Sequence, residues 1–386
     1  MENTTHRQRA EQLIMDKHHS ARKAALTAIG RAILLCITAL PTLSVVFILF
    51  FIAKEALPFL DNLAYLKEFF TSTEWTPSRE HDPHFGALAI FYGTIMVTAL
   101  SCAIAVPLGV VAAICLSEIL PFKVSQIFKP VVELLAAVPS VAYGFFALVV
   151  LAPIMQNHGG HLLSAIALVA GLPITFLIAF PLGEIAAVKI FKSAISFKGK
   201  MAHFLTVAAA CAVPIWISYS VQGVTINSGT NALNASIILA IMALPTIVSI
   251  SQDALTSVGR DMREGSLSLG ATRAETIFKV ILPCAKSGIA VAVILGFMRV
   301  MGETMVVWMA SGNSLKIPEP FYNFLEPVRT LTATIAGEMG EADQSTGSAR
   351  YHVLFAMSFC LLVSGLLMNA ASQWVGSVKK GVKRAK

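Results

Sequence analysis

Apolar runs long enough to cross a bilayer as a helix, about 20 residues for a hydrocarbon core of ~30 Å, recur along this chain and leave it few ways to fold. Eight such segments are read at roughly 30–53, 87–116, 131–155, 162–182, 204–222, 235–252, 288–312 and 352–376. Only 13% of the 386 residues are charged and 56% are hydrophobic. A soluble domain would carry about 25% charged residues. The fold class is therefore all-α integral membrane protein. The first run starts after residue 24 and others follow, so it reads as a span and not as a cleaved leader.

The basic residues sort by side. Of 29 Lys and Arg, 22 fall in the N-terminal arm through Arg31, in 117–130, 183–203 and 253–287, or after residue 376. Six (Lys54, Lys67, Arg79, Lys316, Arg329 and Arg350) fall on the other side, and Arg299 alone lies within a span. The positive-inside rule places the richer side, with both termini, in the cytoplasm. The outer connections 54–86 and 313–351 hold eleven acids. The net charge of +7 thus follows from topology, and nucleic acid is not an expected partner. The expected organisation is a cytoplasmic arm over 1–29, a first span and outer loop over 30–86, a transmembrane domain over 87–376 and a basic cytoplasmic tail over 377–386.

His81 and His84 are three apart in the outer loop, a spacing that could serve a metal. With no further ligands nearby, a solvated loop is the better reading. The six cysteines show no C-x-x-C spacing, so neither a zinc site nor a disulfide framework is indicated.

The cytoplasmic stretch 253–287 is too polar to span. Arg260/Glu264 and Glu275/Lys279 are opposite charges at i, i+4, which favours helix. Ala274, Ile277 and Ile281 make an apolar stripe at helical spacing. Gly270 suits a turn between two short helices, and Pro283 suits a stop or bend before the next span. An amphipathic connector with one face on the bundle and one offered to a partner is expected. The chain carries no G-x-x-x-x-G-K-[ST] phosphate loop; "FKGKMA" at 197–202 lacks the first glycine and the final hydroxyl residue.

Glu264, Gly270, Val280, Leu282 and Pro283 stand in the register E-x₅-G-x₉-[IV]-x-L-P. This resembles the "EAA" loop of ATP-binding-cassette importer permeases, with "EGS" (Glu264, Gly265, Ser266) in place of "EAA". "VVELLAAVPSVAYGFF" (131–146), "NASIILAIMALPTIVSIS" (234–251), "GFMRVMGETMVVWMASGN" (296–313) and "RTLTATIAGEMGE" (329–341) occur in an order similar to that of PstC-type phosphate permease subunits. The resemblance covers roughly 84–156 and 229–376. It implies a type I importer core of six transmembrane helices. The stretch at about 157–228, longer than the family's connection there, reads as an inserted transmembrane hairpin, making eight.

The resemblance further implies that Glu264, Gly270, Thr272, Arg273, Leu282 and Pro283 couple to an ATPase dimer that holds the ATP and magnesium, this chain binding no cofactor itself. A PstA-like permease would complete a heterodimer, and an extracytoplasmic phosphate-binding protein would deliver the substrate. A phosphate-sensing kinase system is a further implied partner. The site would be the bacterial inner membrane.

Within the spans, Arg299 and Glu303 are four apart and are expected to share one helix face. Intramembrane charges are costly and pair or face a polar cavity. A structural ion pair and a gate on the anion path both fit. Arginine suits an oxyanion because its guanidinium binds it bidentately. Pro139 could kink its span and turn backbone groups toward a cavity. Ser140, Thr304, Asn313, Arg329 and Thr330 are candidate polar contacts on the path or at its outer mouth; local capping is the alternative for each. Glu133 reads equally as a helix-end cap. Rival readings are a permease for sulfate or phosphonate and a proton-coupled secondary transporter relaying through Glu303 and Arg299. No H-E-x-x-H, G-x-S-x-G or paired catalytic acids suggest an enzyme.

Overall fold

The computed structural model describes residues 2–79, 82–191, 197–342 and 348–384. Helix α1 (Glu2–Leu60) joins the N-terminal arm and first span without a break. Helix α2 (Leu63–Thr71) and a two-residue hairpin of β1 (Trp75–Thr76) and β2 (His84–Phe85) follow. Helix α3 (Leu88–Ile114) ends in a π-helical turn, Cys115–Ile119. Then come α4 (Phe122–Ala137), α5 (Ser140–Phe146), a π-helical turn at Ala147–Leu151, α6 (Ala152–Phe191) and α7 (Phe197–Val221). The second half holds α8 (Ala232–Thr256), α9 (Arg260–Ser268), α10 (Arg273–Glu275), α11 (Leu282–Met301), α12 (Met305–Ala310), α13 (Leu331–Glu338) and α14 (Ala349–Arg384).

Seven helical segments among the described residues are long and apolar enough to cross a membrane: Leu26–Leu60, Leu88–Ile119, Ser140–Phe176, Met201–Val221, Ala232–Thr256, Arg273–Met301 and Ala349–Gly376. The spans expected at 131–155 and 162–182 are joined in one of them. Helical geometry lapses there at His158 (φ −131°, ψ 31°). Before it, Ala152 lies against Gly229. Beyond it, Pro173 and Phe176 lie beside Ile119 and Arg273. The chain therefore turns back at His158, and α6 then runs antiparallel to α7. Gly160 faces Gln222, and the buried Ser164 and Ser218 hydroxyls share a 2.6 Å hydrogen bond. Small residues and paired hydroxyls are what lets helices approach where no hydrophobic force drives them together.

The core is the packing of α3, α8 and α11. Ile247 of α8 is fully buried, wedged between Gly109 of α3 and Gly296 of α11. A Cβ on either glycine would sit within 2.7 Å of the Ile247 side chain. A second core lies under the outer loop. Phe59, Phe69 and Phe85 meet edge to face at 5.5 Å, with Trp75, Val353 and Leu354 buried around them. By contrast, most of α1 from Leu26 to Phe51 is exposed, as a helix facing lipid would be.

His81 lies outside the described residues. His84 makes no metal cluster among the described residues. Its Nδ1 is 2.9 Å from Glu68 Oε1, which also accepts the Phe85 amide at 3.2 Å. Asp82 and Glu74 stand 3.6 and 3.8 Å from Nε2. The Glu68 hydrogen bond first, then these carboxylates, raise the imidazole pKa above 6.5. Because the folded value is the higher one, this stabilisation is full below the unfolded pKa and is lost as pH rises through the folded value. A proton titration of His84 should give a midpoint above 6.5, and His84→Gln should flatten the pH dependence of the thermal midpoint between the unfolded value and that midpoint.

Candidate functional site

Two of the expected spans are interrupted. Proline disfavours helical geometry in the residue before it, and Val138 is extended (φ −69°, ψ 129°). Helix α4 therefore ends at Ala137, and Pro139 starts α5 at Ser140. The anticipated kink is a full break. The Tyr143 hydroxyl crosses it, donating to Leu135 O at 2.8 Å. The second break lies between α11 and α12, at Gly302–Thr304. The two breaks face each other through α5 and α12. A Cβ on Gly144 would fall 2.8 Å from Met309 Sδ and 3.2 Å from Met305 O.

This geometry corrects the expectation that Arg299 and Glu303 share a helix face. The helix stops at Met301, so Glu303 leaves the i, i+4 position. Its carbonyl takes a hydrogen bond from Thr332 Oγ1 at 2.8 Å, a tertiary partner that replaces the helical one. Arg299 and Glu303 make no ion pair among the described residues, although the Arg299 charge acts on both Glu303 and Tyr143. Arg299 Nε is buried without a hydrogen-bond partner. The guanidinium sits in the last turn of α11, where the helix dipole favours a cation. Thr304 begins α12, its carbonyl accepting Trp308 N–H at 2.9 Å.

The outer candidates serve local structure. Thr330 caps α13 by accepting Ala333 N–H. Asn313 has φ 50° and donates from Nδ2 to Trp308 O at 2.7 Å, closing the end of α12. Arg329 is committed to Glu338, 3.0 Å away and 8% exposed as a residue. Glu338 also accepts Trp75 Nε1–H at 2.8 Å and lies 3.9 Å from Arg350. This buried carboxylate between two arginines was missed in the sequence, where the segment stood out only as part of the "RTLTATIAGEMGE" resemblance.

The 253–287 segment forms a second surface. Helix α9 is exposed, and Gly270 (φ +85°) turns the chain after it. Thr272 and Glu275 then cap each other reciprocally, a capping box. Glu275 and Lys279 pair at 3.2 Å. Arg260 and Glu264 do not pair. Arg263 is the anchoring charge instead, binding both Glu118 oxygens at 2.6 and 3.1 Å and the Leu255 and Gly259 carbonyls at 2.8 Å. Pro283 neither stops nor bends the chain out of helix. It stands just past a π-helical turn at Thr276–Ile281, and helix continues from Arg273 through that turn to Met301. Ile281 is buried and Ile277 packs on the core. Leu269, 90% exposed, stands at the tip with Met262 and Leu267 also exposed. Glu264 and Arg273 are exposed, and Leu282 is half-buried.

One helix thus has an exposed tip at one end and a break at the other, and comparison with known proteins places the chain in a family. The family model for the inner membrane component of binding-protein-dependent transport systems matches residues 105–377. The chain belongs to this family. The permease is 33% identical over 338 residues to a probable ABC transporter permease protein, YqgH, of Bacillus subtilis, with 87% of this chain and 86% of that protein covered. It is 31% identical over 303 residues to the phosphate transport system permease protein PstC of Xylella fastidiosa, with 78% of each covered. It is 33% identical over 299 residues to the PstC of Mesorhizobium japonicum, with 76% and 75% covered.

Removing one partner of a buried ion pair leaves the other uncompensated, at about 3–5 kcal/mol. Glu338→Ala should therefore cost the permease stability of that order, read as a lowered thermal midpoint in detergent. Glu341→Ala, at an exposed position, should cost well under about 1 kcal/mol.

Proposed function

We propose that the chain is a permease subunit of an ATP-driven importer that moves inorganic phosphate across the bacterial inner membrane, with both termini in the cytoplasm. The observation that carries this reading is Arg299. It is an arginine without a partner among the described residues, beside two broken membrane helices, in a family whose related proteins include phosphate permeases. Irregular backbone at membrane depth is tolerated where it is buried in protein or lines a cavity. A free guanidinium there offers a dianionic oxyanion two parallel hydrogen bonds. Glu303, close enough to feel Arg299 but not bonded to it, competes for the guanidinium and keeps phosphate from being held too long. Thr304, Ser140 and the backbone around Pro139 are the neighbouring polar groups on this path. Arg329, Thr330 and Asn313 shape its outer end through their structural contacts.

Energy comes from outside the chain. An ATPase dimer, holding ATP and magnesium, docks on the tip formed by Leu269, Gly270 and the exposed face of α9, including Glu264. Thr272 and Arg273 start the helix that carries its motion inward, with Leu282 and Pro283 at the entry to the membrane. A PstA-like permease completes the pathway, an extracytoplasmic binding protein delivers phosphate, and a phosphate-sensing kinase system is a further partner.

The test is phosphate uptake in cells lacking their own importer, with this chain, its partner permease, ATPase and binding protein expressed together. Arg299→Gln should reduce uptake at least about tenfold with subunit levels unchanged; near-normal uptake overturns its role on the path. A side chain at Gly270 meets open space but a positive φ, a cost of roughly 1–2 kcal/mol in the left-handed region. Gly270→Asp should therefore leave assembly intact and abolish ATP-dependent uptake. Uptake without the ATPase would point to a proton-coupled transporter instead. Uptake of sulfate or phosphonate in place of phosphate would keep the architecture and change the substrate.

A further inference from the structure

A cavity of about 480 Å³ opens between the end of α3, α6 and the start of the helix entered at Arg273. Its volume falls in the range of roughly 300–1,000 Å³ typical of small-molecule sites. Val111, Ile114, Pro173, Phe176 and Ile277 make its walls. Ile119 and Phe176 at the rim are more than half exposed, so it opens sideways from the bundle. Among the described residues two charged ones reach it, Glu118 and Arg273. Glu118 is neutralised by its two-bond pair with Arg263. Arg273 makes no hydrogen bond or ion pair among the described residues. Among the described residues the cavity thus has apolar walls and one free positive charge, at the level where α3 and α6 reach the polar 253–287 segment.

We propose that this cavity binds one anionic phospholipid from the leaflet on that side, with its phosphate at Arg273 and an acyl chain along the apolar walls. A basic group between membrane helices is suited to an anionic head group. A soluble anion would leave the walls unfilled, and a neutral lipid would leave Arg273 without a counter-charge. The bound lipid touches both α6 and the helix that begins at Arg273, so its occupancy ties the α6–α7 hairpin to the coupling segment. The assignment stands whatever substrate the permease carries.

The experiment is native mass spectrometry of the full chain in detergent, titrated with phosphatidylglycerol, with phosphatidylcholine of the same acyl chains, and with inorganic phosphate as competitor. One phosphatidylglycerol should be retained about fivefold more tightly than phosphatidylcholine, the contribution of one basic residue near a membrane surface. Arg273→Gln should bring the two to parity, and Ala274→Trp, which fills the cavity, should weaken both. Phe176→Trp should gain emission that phosphatidylglycerol brominated in its acyl chain quenches, a readout that needs no cavity-filling variant. Equal retention of the two lipids by the wild type, an unchanged preference in Arg273→Gln, or no quenching would each overturn the proposal. Displacement of the lipid by phosphate at matched concentration would overturn it in favour of a head-group-only anion site.

Discussion

The carbonyl of Glu303 has no helix to belong to, and the hydroxyl of Thr332 supplies its missing partner. Within a membrane each such group must be satisfied by protein, because lipid offers nothing. That single bond lets α11 end at Met301 and α12 begin at Met305, and it fixes α13 against the break. From there the rest follows. Arg299 is left at a helix end with Glu303 out of the helical i+4 position, and α12 is free to pack its own face against α5. Without Thr332 the shortest remedy for the exposed carbonyl would be to continue the helix, which would bring Glu303 back to Arg299.

The membrane architecture was legible in the sequence because burial in lipid leaves a signal in every residue of a span. Helices α3 and α8 lie close to their expected limits. So does the turn at Gly270, where a positive φ needs the one residue that adopts it freely. The interruptions were harder to read. "AAVPSV" and "RVMGETM" each contain one helix-breaking residue, and a single Pro or Gly is compatible with a kink or with a full stop. The choice was made by distant partners, Thr332 for one break and the α5–α12 contact for the other. The turn at His158 was legible, because the polar "NHGGH" separates the spans expected to end at 155 and start at 162, and helical geometry lapses there.

The ion pairs show the same division. Glu275 and Lys279 were readable, being local and regularly spaced. The pairs that anchor the molecule, Arg263 with Glu118 and Arg329 with Glu338, join residues far apart or across a helix end, and no spacing rule predicts them. Lys and Arg contents of the connections set an expected sidedness, yet not which arginines are committed to partners.

The helix that runs from Arg273 to Met301 spans roughly 40 Å at 1.5 Å per residue, without a joint at Pro283. It places the exposed tip by Leu269 and the unpaired Arg299 on one lever. A tilt of about 5° about the tip end would sweep the Arg299 end through roughly 3 Å, given that length. That distance is the difference between a guanidinium within hydrogen-bonding reach of an anion and one out of reach. Loop rearrangement is therefore not required for a push at one surface to be felt at the other; leverage is enough.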